Sequence, residues 1–154
     1  MAQSVKGICI LSAGGHGRVV ADIAELCGYS QVEFVDARWP GQSENLAWKV
    51  VGRNFENASQ GFERFVALNT NGLRLKLVQD MIAAGQGLPT LGHPVASGSK
   101  HAKLGMGSVA LAVGVVNVGA VLGQGVIVNA SAIVVDACLS GDGVLKLLVR
   151  RGGG

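Results

Sequence analysis

The residues best placed to do chemistry sit in one short turn, Ser12-Ala13-Gly14-Gly15-His16-Gly17, with a carboxylate, Asp36, nineteen residues beyond Gly17. Glycines at such a turn let the backbone approach a ligand, and free N–H groups at the start of a following helix favour an anionic group such as a phosphate. An acidic residue at that distance falls about where a ribose hydroxyl is met in a dinucleotide-binding unit. That fingerprint wants glycine at its first position, and here it is Ser12. The competing reading of the turn is a tight connection between strand and helix. His16 then either touches a ligand or hydrogen-bonds the backbone near a helix N-terminus. His93 before Pro94 reads as a strand-end residue that positions a linker, and His101 as a solvated surface residue. The cysteines Cys9, Cys27 and Cys138 are odd in number with no CxxC spacing, so they read as reduced thiols in a cytoplasmic protein, and no metal site is expected.

The elements that must carry the turn are legible around it. Val5 to Leu11 is an apolar run suited to a buried parallel strand, Arg18 to Cys27 is helical up to Gly28, and Val32 to Val35 is a second strand. The expected inner face of that helix is Val19, Ile23 and Leu26, flanked by Val20, Ala24 and Cys27. A β-α-β unit of this kind opens a Rossmann-like sheet. Lys49 to Gly52 reads as a short edge strand and Phe65 to Leu68 as a third buried strand. Leu73 to Ala84 is a helix with Leu73, Leu77, Met81, Val78 and Ile82 on its inner face, closed by Gly85.

Beyond residue 100 the pattern changes. Leu104, Ala110, Val116, Leu122, Val128 and Val134 recur every sixth residue through a stretch with no charged side chain. Six fits neither a helix nor an alternating strand, and a fixed short period marks a solenoid. Each unit of a hexapeptide β-helix is a flat strand plus a corner, with the recurring apolar residue pointing inward. The position four later must be small, and it is Ser108, Gly114, Ala120, Val126, Ala132 and Cys138. Left-handed backbone is expected one residue after each apolar position, at Gly105, Asn117, Gly123 and Asn129. The register then meets Ser140 and Lys146, where the apolar repeat ends, so the pattern supports two turns from Leu104 to Leu139. A membrane-spanning helix is the competing reading of the uncharged stretch, but its six glycines and scattered amides make a poor lipid-facing surface. Net charge is +3 with scattered basic residues, so neither nucleic acid nor a membrane is expected as partner.

Taken in order, Ser-Ala-Gly-Gly-His-Gly-Arg, Phe-Val-Asp, Ala-Leu-Asn-Thr-Asn-Gly-Leu-Arg, Leu-Gly-His-Pro and the hexapeptide run resemble the bacterial sugar acyltransferases. That family contains sialic acid O-acetyltransferases and bacillosamine-type N-acetyltransferases. The resemblance implies an α/β N-terminal Rossmann-like domain over residues 1–91, followed by a short, truncated left-handed parallel β-helix of hexapeptide repeats over 92–142 and an atypical tail over 143–154. It implies acetyl-CoA as co-substrate, a sugar or nucleotide-sugar as partner, and a homotrimer with acetyl-CoA bound between neighbouring helices. Gly14, Gly15 and His16 would line the sugar or nucleotide site, Asp36 and Ala37 would follow the second strand, and Asn69, Asn71 and Arg74 would flank the pocket. Ser12 and Asn69 replace glycines usual in the family.

The resemblance also places Asp136 where the family has the histidine that deprotonates the acceptor, with Ala137 beside it. A carboxylate of pKa about 4 is a weaker base than imidazole near neutrality. Asp136 together with the interrupted repeat therefore implies impaired or absent activity. A non-catalytic sugar-nucleotide-binding or assembly subunit is the second reading. A nicotinamide-dependent oxidoreductase is the third, resting on the turn and Asp36 alone.

Overall fold

The computed structural model describes residues 5–135 and 139–146, apart from the side chains of Ser140, Leu145 and Lys146. Expectations placed on Asp136, Ala137, Cys138 and the tail from Leu147 lie outside those residues. The chain divides into two units, Met1–Asn69 and Thr70–Gly154.

In the first unit, β1 (Gly7–Leu11), β2 (Gln31–Val35), β3 (Glu44–Asn45), β4 (Trp48–Gly52) and β5 (Glu63–Val66) form one sheet in the order β3-β4-β2-β1-β5. All pairs are parallel except β3 with β4. The strand read over Lys49 to Gly52 is thus interior, with the two-residue β3 outside it. The helix α1 (Gly15–Leu26) connects β1 to β2 and ends as expected at Gly28, which takes φ +96°. Its buried face keeps Val20, Ile23 and Ala24 as expected, but Gly17 and Ala21 are also inside, while Val19 and Leu26 are exposed. The reason is contact distance. A Cβ on Gly17 would collide with the Ser12 carbonyl and press on the Phe34 ring, so the helix lies against the sheet on its small-residue side. Ile8, Ile10, Phe34 and Phe65 are fully buried in this core.

On the other parity of the strands, Cys9, Glu33 and Arg64 stand in register. Glu33 is kept inside by the segment after β4, whose Ser59 donates to it from both backbone N (2.7 Å) and Oγ (2.8 Å). Burial, reinforced by Glu33, pushes the Cys9 thiol up to about 12.

The second unit is a left-handed parallel β-helix built from two-residue strands: β6 (Leu91–Gly92), β7 (Ser97–Gly98), β8 (Lys103–Leu104), β9 (Val109–Ala110), β10 (Val115–Val116), β11 (Val121–Leu122), β12 (Ile127–Val128), β13 (Ile133–Val134), β14 (Leu139–Ser140) and β15 (Leu145–Lys146). They stack into three parallel ladders, β6-β9-β12-β15, β7-β10-β13 and β8-β11-β14, with partners eighteen residues apart, as for Val109 and Ile127. The coils start at Leu91 and the ladder continues through Lys146, so they extend beyond the Leu104–Leu139 stretch that the apolar register supports. Ladders are made by backbone N–H and C=O groups, which do not need an apolar side chain at each register position.

The inward positions are as expected: Ala110, Val116, Leu122, Val128 and Val134 form one buried cluster with Ala120, Val126 and Ala132. Buried Ser108 earns its place by bonding upward, its Oγ donating to Gly123 O and accepting from Val126 N. The corners correct the sequence reading. Left-handed φ falls three residues after the apolar position, at Gly107, Val113, Gly119, Gly125, Ser131 and Gly143. Gly105 and Gly123 are required for a different reason, since a Cβ there would run into the backbone of the next coil.

The helix α2 (Asn71–Ala83) belongs to this unit, and its inner face is only partly the expected one. Its buried residues are Arg74 and Val78, while Leu73 is exposed. Val78 packs on the bare corners Gly107 and Gly125, and Leu75 on Gly143. Arg74, 1% exposed, donates from Nε to Gly125 O (2.8 Å) and from Nη2 to Gly143 O (3.0 Å) and Asn71 Oδ1 (2.8 Å). Burial lowers its affinity for the proton. The helix is thereby fastened to corners of successive coils, which a periodicity search for apolar faces does not detect.

Arg74→Met should destabilise the protein by about 3 kcal/mol in urea titration, because carbonyls at two corners lose their buried donor. Val113 is a β-branched residue in left-handed backbone, a conformation that costs about 1–2 kcal/mol. Val113→Asn should therefore raise the unfolding midpoint by the equivalent of about 1 kcal/mol, while Val113→Thr, which keeps the branch, should give no gain.

Candidate functional site

The strand order reverses direction at β1, with β2 on one side and β5 on the other. In an open parallel sheet the crevice beyond the C-terminal strand ends at such a point is where ligands bind. Gly14, Gly15 and His16 follow β1, Asp36 and Ala37 follow β2, and Asn69 follows β5, so the first unit brings these sequence-derived candidates to one end of its sheet. Asn71 and Arg74 lie in the second unit, where Asn71 accepts from the buried Arg74 guanidinium. Asp136 lies outside the described residues.

Ser12 adopts φ +87°, the backbone that glycine takes most easily, so the turn keeps its shape despite the substitution at some cost in strain. The next groups are anchored one by one. Ser12 N donates to Val35 O (2.9 Å), and Ala13 N to Asp36 Oδ2 (2.8 Å). The Ala13 carbonyl accepts from Gln42 Nε2 (2.9 Å), and the Gly14 carbonyl from Asn45 Nδ2 (3.2 Å). Asn45 is buried at 3% exposure, and its Oδ1 takes Arg18 Nε (3.0 Å). Beyond this latch, Gly14 supplies no side-chain cap to α1 and the first helical turn carries no acidic residue. Gly15 is exposed and His16 half-buried.

Asp36 is the best-connected group here. Besides Ala13 N it accepts from Arg38 through backbone N (2.9 Å), Nε (2.9 Å) and Nη2 (2.9 Å). The Arg38 side chain donating to it, followed by the backbone donors, holds the carboxyl well below the usual carboxylate range despite burial. The Arg38 side chain is 61% exposed against 8% for Asp36.

Sequence reading missed Arg38, Gln42 and Asn45. They fall in the least regular stretch of the chain, and nothing in their spacing announces that they close onto the turn. The two histidines outside it have local roles or none: His93 Nδ1 accepts Val95 N (3.1 Å) in the coils, and His101 is exposed. Two cavities lie elsewhere. One of about 230 Å³ opens among the first coils, lined by residues including Leu91, Ala96, Leu104 and Val116. The other, of about 340 Å³, lies by Glu33, Lys49 and Ser59. Neither of these two includes a residue of the turn. Among the described residues no group of three or more His, Cys, Asp or Glu is arranged to hold a metal, and no helix is long and apolar enough to cross a membrane.

Residues 7–81 match the PglD N-terminal domain family. Among solved structures, the chain is similar to the acetyltransferase domain of PglB from Neisseria gonorrhoeae FA1090, at 37% identity over 91% of this chain and 70% of that one, with a TM-score of 0.84. The same domain in complex with acetyl coenzyme A matches equally well, with 69% of that chain covered. PerB from Caulobacter crescentus, in complex with CoA and GDP-perosamine, matches at 29% identity over 94% of this chain and 70% of that one, TM-score 0.80.

Because its carboxyl is held low in the folded chain, Asp36 contributes stability above its unfolded pKa, near 3.8, that is lost as pH falls below that value. The stability difference between the wild type and Asp36→Asn should be constant from pH 7 to about pH 5. It should then shrink toward pH 3, as followed by denaturant titration across that range.

Proposed function

The chain belongs to the family of hexapeptide-repeat sugar acetyltransferases, and from that premise we propose that it transfers an acetyl group from acetyl-CoA to an amine or hydroxyl of a sugar or nucleotide-sugar. The observation that carries this reading is the 37% identity to the PglB acetyltransferase domain over 91% of the chain, spanning both units. The sheet end adds chemical support, since the start of α1 and the arginines Arg18 and Arg38 there suit an anionic acceptor better than a neutral one.

In this reading Gly14, Gly15 and His16 line the nucleotide or sugar site, with Ala37 and Asn69 at its rim. Arg74 and Asn71 serve it indirectly by keeping α2 on the coils. The acceptor nitrogen or oxygen attacks the thioester carbonyl, its bond to the acetyl carbon forms, the carbon–sulfur bond breaks, and CoA leaves as a thiol after taking a proton. The proton released by the acceptor goes to a base, and Asp136 stands at the family's position for it. Aspartate in that role slows the reaction through its low basicity and short reach.

We further place the protein in the cytoplasm as a homotrimer. Val118, Val121, Ile133 and Leu139 are exposed on the coils, Leu139 at 78%, and a trimer packed coil to coil would cover such side chains.

Incubating the protein with acetyl-CoA and a nucleotide-linked amino sugar should release free thiol, followed with a disulfide reagent, at a low rate. Asp136→His should raise that rate by about a hundredfold. Thiol release by neither form, with the nucleotide-sugar still raising the melting temperature of both, would instead make the chain a binding or assembly subunit.

A further inference from the structure

Asp36 stands where a nucleotide-binding β-α-β unit commonly offers a carboxylate to a ribose hydroxyl. An ionised carboxylate has about four acceptor positions, and here Ala13 N and three Arg38 donors occupy that many. A ribose hydroxyl would have to break one of these bonds to enter. The guanidinium is in the opposite condition. Nε and one Nη2 proton face Asp36, and an arginine carries five N–H donors, so the Nη1 protons and the second Nη2 proton remain on its outer edge. That edge belongs to a side chain 61% exposed, at the sheet end where the glycine turn also lies. As a stabilising device an exposed ion pair is worth little. As a pre-oriented fork it matches a pair of acceptor oxygens, because planarity and two parallel N–H bonds are what separate arginine from lysine.

We propose that Arg38, held in place by Asp36, is the residue through which this chain recognises the nucleotide part of its sugar substrate, by a two-point contact from the outer guanidinium edge to paired acceptor oxygens. Asp36 is then a positioning residue and does not touch the nucleotide. The assignment rests on the nucleotide-sugar reading above and names one contact within it. The oxygens belong either to the diphosphate or to the nucleobase, and binding of fragments separates the two.

Calorimetric titration of the full chain with UDP and with GDP, at fixed low salt, tests it. Arg38→Met should weaken binding of the better ligand by about tenfold or more, beyond the modest fall in melting temperature expected when Asp36 loses two donors, and Arg38→Lys should recover only part of the loss in binding. Asp36→Asn should weaken binding in the wild-type background and have no further effect beside Arg38→Met, since it acts through that side chain. A loss of the same size in both backgrounds would mean that Asp36 touches the ligand itself, and would overturn the proposal. So would wild-type affinity in Arg38→Met. Displacement of bound nucleotide by inorganic diphosphate and by free nucleoside locates the contact: the fragment whose potency falls in Arg38→Met carries the oxygens, and a fall for neither counts against it. If the wild type binds neither UDP nor GDP, the nucleotide-sugar reading fails and this assignment with it. If the wild type binds and Arg38→Met binds equally, only the assignment fails.

Discussion

Everything in the second unit follows from one requirement: eighteen residues must return the chain to the same place, one strand spacing along the stack. Partners such as Val109 and Ile127, or Val115 and Ile133, then lie directly over one another, and each inward column becomes continuous. Such columns favour small or apolar side chains, as Val116 over Val134, Leu104 over Leu122 and Ala102 over Ala120 show, and the hydroxyl of Ser108 is satisfied within the stack. Corners stack as well. Gly107, Gly125 and Gly143 form one bare file, and α2 lies along it with Val78 and Leu75 filling the space that missing Cβ atoms leave. Arg74 completes the fit by giving buried corner carbonyls the donors that water would otherwise supply.

The first unit obeys a different economy. Its turn has more backbone groups than a tight connection can pair, and the chain recruits distant side chains for those that point inward. Asp36, Gln42 and Asn45 come from 23, 29 and 31 residues beyond the groups they bind. One N–H and two carbonyls of the turn are thereby paired internally. The arginines at this sheet end, Arg18 and Arg38, favour anions before any specific contact is made, and that bias is consistent with a substrate carrying phosphates.

Part of this was legible from residue order. The β-α-β unit, the helix ends at Gly28 and Gly85, the inward register from Ala110 to Val134 and the small positions four residues on all follow from periodicity and glycine placement. Where the expectation missed, the cause was contact and not propensity. Of the expected faces, Val20, Ile23 and Ala24 of α1 and Val78 of α2 are buried, but Gly17 and Ala21 join them on α1 and Arg74 on α2, while Val19, Leu26 and Leu73 are exposed. A glycine that permits close approach is invisible to a hydrophobicity argument, and so is an arginine whose role is to satisfy carbonyls. The left-handed corner was displaced by two residues for a related reason. Glycine and asparagine after the apolar position suggest positive φ, but Gly105 and Gly123 are there because the next coil's backbone leaves no space for a side chain.

By itself the sequence determined the class of each unit, since a period of six can be satisfied only by short strands and corners, and an apolar run, glycine turn and helix only by a strand crossing over to its neighbour. It also determined which end of the sheet carries the candidate chemistry. The tertiary structure alone decided what the residues there are free to do. Asp36 and Arg38 are two positions apart, and their order in the chain does not say whether they face one another. Once they do, the carboxylate is consumed as an acceptor and the guanidinium is left as the donor, because a hydrogen-bonding group can be offered to a ligand only where the fold has not already used it.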